Sequence, residues 1–150
     1  ETISQAAAYA HQWRAGFGYE FMERPDGYKG FAATYGLAFA DAPRIMDLGL
    51  LTRALTNKQV DLIAGNMTDG LIPAFHLFVL RDDKNYFPPY EAVAIARKET
   101  LSLHPEVGEA IRELAGKITD EEMRQLNYAV DGQHRDVKEV VNHFLRSKNL

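Results

Sequence analysis

Apolar strand-like stretches alternate with amphipathic helix-like ones along the first 80 residues, and this alternation restricts the fold more than any other feature. Residues 15–22 (AGFGYEFM) alternate around aromatics like a strand. A turn at Arg24-Pro25-Asp26-Gly27 leads to a helix over 28–36, with Phe31, Ala32 and Tyr35 on its buried side and Gly36 as its C-cap. A strand at 43–47, a helix at 48–58 carrying Leu50, Leu51 and Leu55, and a strand at 60–64 complete a β-α-β-α-β order. Units of 20 to 25 residues in that order imply right-handed crossovers and a largely parallel sheet. A further strand is expected at Phe75 to Leu80. Before all this, residues 2–14 read as a helix opened by a Thr2/Gln5 capping box, with alanines and Trp13 as its apolar stripe.

The pattern changes after Phe87-Pro88-Pro89-Tyr90. The two prolines stiffen that segment, which makes it the best candidate for a boundary or hinge. One more strand is expected at 91–97 (EAVAIAR), then three helices: Pro105 to Lys117, Thr119 to about Val130, and Arg135 to Arg146. Pro105 suits a first helical position, and Thr119 with Glu122 forms a second capping box. Val137, Val140, Val141, Phe144 and Leu145 fall on one face of the last helix.

Composition narrows the function classes. Apolar residues at 46% and charged residues at 25% are globular values. A net charge of -4 gives no basic face for nucleic acid, so no nucleic-acid partner is expected. No apolar run is long enough to span a membrane. The absence of cysteine excludes disulfides and thiolate chemistry. Residues from Glu1 show no basic or apolar leader pattern.

Catalytic patterns are weak. Glu20, Glu23 and Asp26 stand near one another, but acids beside Arg24 usually form a solvated turn rather than a glycosidase pair. Gly16-x-Gly18 lacks a third glycine and a following helix signal, as a dinucleotide site would need. The five histidines have no metal-ligand spacing, and no serine sits in a nucleophile elbow. The expectation is a protein that is not an enzyme and needs no cofactor or metal.

Polar residues at strand ends point to binding instead. The strand at 60–64 runs into a loop presenting Asn66, Thr68 and Asp69, a common way for an α/β sheet to hold a small polar ligand. Asn66 and Thr68 are equally suited to capping a short helix beginning near Asp69, and Asp69 reads better as a cap than as a ligand. Arg24 either faces a cleft or pairs with Asp26 or Glu20. Tyr90 either packs at the boundary or meets a ligand. Asp82-Asp83 reads as a solvated turn. Tyr19, Phe21, Tyr28, Phe31 and Tyr35 read mostly as core, Tyr19 being the best placed to face a cleft.

Taken in order, ISQ…GFGYEFMERPDGY, YGL, MDLGLLTRALTNKQVDL, MTDG, LRDDKNYFPPY, LHPEV, LNYAVD and VVNHFL span nearly the whole chain. Together they resemble the osmoprotectant-binding proteins of ABC importers, which take up glycine betaine, choline and related quaternary amines. The resemblance implies a type II periplasmic-binding-protein-like α/β lobe with a mainly parallel sheet, followed by a helical C-terminal segment. Residues 1–90 then look like a complete second lobe, and 91–150 like a return strand and helices belonging to the first. The family's first hundred or so residues have no counterpart here.

The resemblance also implies a small-molecule osmolyte as ligand, an ABC permease as partner, and a periplasmic or extracellular place associated with the membrane through the transporter. Arg24 matches the family's cleft arginine, suited to a ligand carboxylate. Tyr90 matches an aromatic-box tyrosine, suited to a quaternary ammonium by cation–π attraction. Asn66 stands where the family usually has another box tyrosine, and an amide offers hydrogen bonds in place of a π face. The ligand-binding set is thus Arg24, Tyr90, Asn66, Thr68 and Tyr19. A single-lobe binding or sensory module, or a self-associating fragment, is the alternative. The apolar faces of the C-terminal helices need cover, and a homodimer through residues 91–150 would supply it.

Overall fold

The computed structural model describes residues 1–150, which divide into two compact units. The first comprises Glu1–Asn66 with Phe75–Pro88, and the second Met67–Ala74 with Pro89–Leu150.

The first unit is built on a three-stranded parallel sheet of order β2-β1-β3, from β1 (Ala15–Gly18), β2 (Arg44–Met46) and β3 (Leu62–Ile63). Gly16 lies opposite Arg44 on one side and Ile63 on the other. Helix α1 (Ile3–Ala7) opens with the expected Thr2/Gln5 capping box but stops early, giving way to a 3-10 turn at Ala10–Gln12. The expected strand at 15–22 is half helix. Only Ala15–Gly18 pair, and α2 (Tyr19–Glu23) starts at once from extended Gly18. Aromatics at 17, 19 and 21 mimic a strand period, whereas Phe17 lies in β1 and Phe21 in α2.

Helix α3 (Tyr28–Tyr35) ends as read, with Gly36 in the left-handed region at φ 66. There a side chain at Cβ would be strained. Helix α4 (Leu48–Thr56) is capped by the Asp47 carboxylate, which accepts from the Gly49 amide at 3.0 Å. Phe17 is fully buried, its ring centroid 5.1 Å from Phe21 and 5.2 Å from Tyr28. Ile3, Ala10, Phe31, Tyr35 and Leu37 form the adjoining core, joined by Leu80, Tyr86 and Phe87.

Residues 75–80 are not a strand. Leu80 packs on the core, and the only β-pairing is an isolated bridge just beyond the segment, Thr2 to Arg81, with Arg81 N–H donating to the Glu1 carbonyl. The Asp82-Asp83 turn is also not merely solvated. Asp82 accepts from the Tyr35 hydroxyl and from the amides of Tyr86 (3.1 Å) and Phe87 (2.9 Å), and Asp83 accepts from the Ser4 amide at 3.1 Å.

The second unit is helical: α5 (Leu71–Ala74), α6 (Lys98–Leu103), α7 (Pro105–Glu113), α8 (Asp120–Asn127), a π-helical turn (Tyr128–Gly132) and α9 (Val137–Ser147). Pro105 opens α7, and the Thr119/Glu122 capping box opens α8. The expected strand at 91–97 does not form: its residues pair with no strand and stand exposed, and an alternating pattern becomes a strand only where a ladder is made. Ala129 and Val140 are buried where the π turn meets α9. No helix is long and apolar enough to cross a membrane.

Candidate functional site

Strand order β2-β1-β3 fixes where a ligand crevice belongs in the first unit. The chain leaves central β1 for β2 on one side, then passes back across β1 to β3 on the other. Beyond the C-terminal ends of β1 and β3, the connections diverge, and open parallel sheets of this kind hold ligands at that switch point. Tyr19 and the Gly65-Asn66 dipeptide emerge there, on either side of it.

Tyr19 is the first residue of α2 and is 65% exposed. Its neighbour two positions on, Phe21, points the other way round the helix and packs on Phe17 and Phe31. Arg24 caps α2, its amide donating to the Glu20 carbonyl at 2.9 Å. Its guanidinium is turned to Asp26 as a fork: Nε donates to Oδ1 at 2.9 Å and a terminal nitrogen to Oδ2. Both side chains are partly exposed, so a ligand carboxylate would compete with Asp26 for the same donors. Gly27 makes this turn possible, because a Cβ there would run into the carbonyl oxygen of Phe21 and lie 2.9 Å from that of Arg24.

Asn66, the last residue of the first unit before the crossing to Met67, is exposed. Thr68 is half-buried in the second unit. Neither side chain has a hydrogen-bond partner within the chain. The capping duty open to them falls instead to Asp69, whose carboxylate accepts from the Leu71 amide at 2.8 Å. Tyr90, directly after the proline pair and also in the second unit, is 63% exposed.

Two residues that sequence reasoning passed over hold the Thr68 segment. Arg124 Nε donates to the Met67 carbonyl at 2.7 Å, and Asn127 Nδ2 to the Thr68 carbonyl at 2.8 Å. Their i, i+3 spacing on α8 was the available signal.

The groups with displaced pKa values are not among these side chains. Arg14 clasps Asp61 bidentately at 2.9 and 3.0 Å, and these hydrogen bonds hold the Asp61 carboxyl down at about 2. Burial, then the bond to Asp82, pushes the Tyr35 phenol up to about 12. The Lys148 ammonium bonded to Glu122 holds that carboxyl down at about 2. No three His, Asp or Glu side chains come close enough to hold a metal ion.

Comparison with known proteins adds a family. Residues 1–147 match the family of the substrate-binding domain of the ABC-type glycine betaine transport system. The carnitine transport binding protein OpuCC of Listeria monocytogenes is 42% identical over 149 residues, covering 99% of this chain and 48% of that protein. A glycine-betaine-binding protein of Pseudomonas aeruginosa is 40% identical over 132 residues, covering 87% of this chain and 42% of its own. The crystal structure of a glycine betaine/carnitine/choline ABC transporter superimposes with a TM-score of 0.81 at 42% identity, covering 99% of this chain and 54% of that one. The chain spans about half the length of the curated relatives it matches.

Proposed function

Because this chain belongs to the family of substrate-binding domains of ABC-type glycine betaine transport systems, we propose that it binds a small quaternary-amine or zwitterionic osmolyte for import. The observation that carries this is the emergence of Tyr19 and Asn66 on either side of the β1/β3 switch point. Tyr19 offers an exposed π face to a quaternary ammonium. Arg24 offers a fork of donors to a carboxylate, exchanging Asp26 for the ligand. Asn66 and Thr68 supply hydrogen bonds, which suit a zwitterion bearing a hydroxyl, such as carnitine, better than a fully methylated one. Tyr90 joins the set on its match to the family's P-P-Y motif.

In this assignment residues 1–90 form one lobe of the binding protein, and 91–150 belong to the structure of the other. The working partner is an ABC permease, the place of action is periplasmic or extracellular, and no bond of the ligand is made or broken. Thermal-shift measurements with glycine betaine, choline, carnitine and proline betaine test it, since a ligand of the native state raises the melting temperature by mass action. A shift with at least one of them is expected. A flat response to all four contradicts it.

A second assignment, self-association through residues 91–150, is favoured by one observation: Val93, Ile95 and Leu103 stand largely exposed, Ile95 at 94%. A second copy of the chain would cover them.

A further inference from the structure

The Met67–Gly70 segment has no strand or long helix to fix it. Within it, Asp69 alone makes local bonds, its side chain and carbonyl accepting from the amides of Leu71 and Ile72. What holds its backbone comes from one face of α8. Arg124 and Asn127, three residues apart, donate to the consecutive carbonyls of Met67 and Thr68 at 2.7 and 2.8 Å. Arg124 is itself steadied by Glu121 at 2.7 Å and is only 18% exposed. Gly70 is buried against the same helix, where a Cβ would lie 2.5 Å from the Asn127 carbonyl carbon and 2.6 Å from the Tyr128 nitrogen. At that point α8 passes into the π-helical turn Tyr128–Gly132, and such widened turns recur at functional sites.

Two donors, a close backbone contact and a change of helix type thus converge on four residues among which the half-buried Thr68 side chain has no hydrogen-bond partner in the chain. We propose that Arg124 and Asn127 are positioning residues for osmolyte binding. They fix the carbonyls of Met67 and Thr68, so that the Thr68 hydroxyl is presented in one orientation and its ordering is not charged against the ligand. The role rests on Thr68 meeting the ligand, as assigned above. It extends that assignment to two residues that do not touch the ligand.

The test is a double-mutant cycle read by calorimetric titration with carnitine and glycine betaine. Asn127→Leu removes the donor at similar volume, and Thr68→Val removes the hydroxyl at constant shape. Each alone is expected to weaken binding roughly three- to tenfold, as for loss of one neutral hydrogen bond. Combined, they should weaken it no more than Thr68→Val alone, because Asn127 acts through Thr68. Independent, multiplying losses would mean that Asn127 only supports the fold, and would overturn the proposal. Amide hydrogen exchange of Thr68, Asp69 and Gly70 in the free protein reads the positioning without any ligand. Faster exchange confined to those amides in Asn127→Leu is expected, and unchanged exchange overturns the proposal even if affinity falls. Tight binding by the parent with a neutral Thr68→Val would instead refute the placement of Thr68 in the site, and the positioning role with it.

Discussion

At the scale of residues, the Arg24 turn joins stability to the proposed binding. Gly27 has no room for a Cβ because backbone oxygens of Phe21 and Arg24 occupy the space, so Gly27→Ala should destabilise by roughly 1–3 kcal/mol, as overpacking does. Chemical denaturation checks this, with a shifted midpoint and an unchanged slope. Arg24→Ala should leave the fold in place and weaken any carboxylate ligand by about 2 kcal/mol, while choline, which has no carboxylate, loses far less. Equal losses for both ligand types would remove Arg24 from the anion role. The Arg14–Asp61 clasp predicts a pH dependence. Asp61 titrates at about 2 in the folded protein against 3.8 as its ordinary value. Its contribution is therefore complete above the ordinary value and is lost as pH falls towards 2. Asp61→Asn should flatten the fall in melting temperature over that window.

At the scale of elements, the helices with strong end signals were legible and the strands only partly so. Capping boxes at Thr2 and Thr119, Pro105 and the left-handed Gly36 all sit where their local chemistry puts them. Strands answer to partners rather than to their own sequence. Residues 91–97 have as good an alternating pattern as any, yet stay unpaired, and 75–80 are unpaired too, with a lone bridge beside them at Arg81. The aromatic alternation past Gly18 hid the start of α2, which decides where Tyr19 emerges. Residues of the candidate site at strand ends could be proposed from sequence, since loops after parallel strands are where ligands sit. The hold of Arg124 and Asn127 on a segment almost sixty residues earlier was not legible, because their i, i+3 spacing marks a shared helix face but not its distant partner. Asp82 illustrates the same limit: read as solvent-facing, it gathers the Tyr35 hydroxyl and two amides. Asp82→Asn should therefore lower the melting temperature near neutral pH, while Asp83→Asn, at an exposed position bonded to Ser4, should cost less.

At the scale of the whole molecule, the second unit leaves apolar surface in search of cover. Val93, Ile95, Leu103, Val137 and Val141 are half or more exposed, or nearly so, and burial of each such side chain is worth roughly 1.5–3 kcal/mol. Sedimentation at micromolar concentration should find a species near twice 16.9 kDa; a clean monomer would refute association through residues 91–150. The central claim, an osmolyte site at the C-terminal edge of the parallel sheet, is most directly tested by titrating the isotope-labelled chain with carnitine and following its backbone amide resonances. Perturbations are expected to centre on Tyr19–Arg24 and on Asn66–Thr68. Perturbations confined to the apolar groove among α7, α8 and α9 (Leu114, Met123, Leu126, Val141 and Phe144), or none at saturating carnitine, would contradict it.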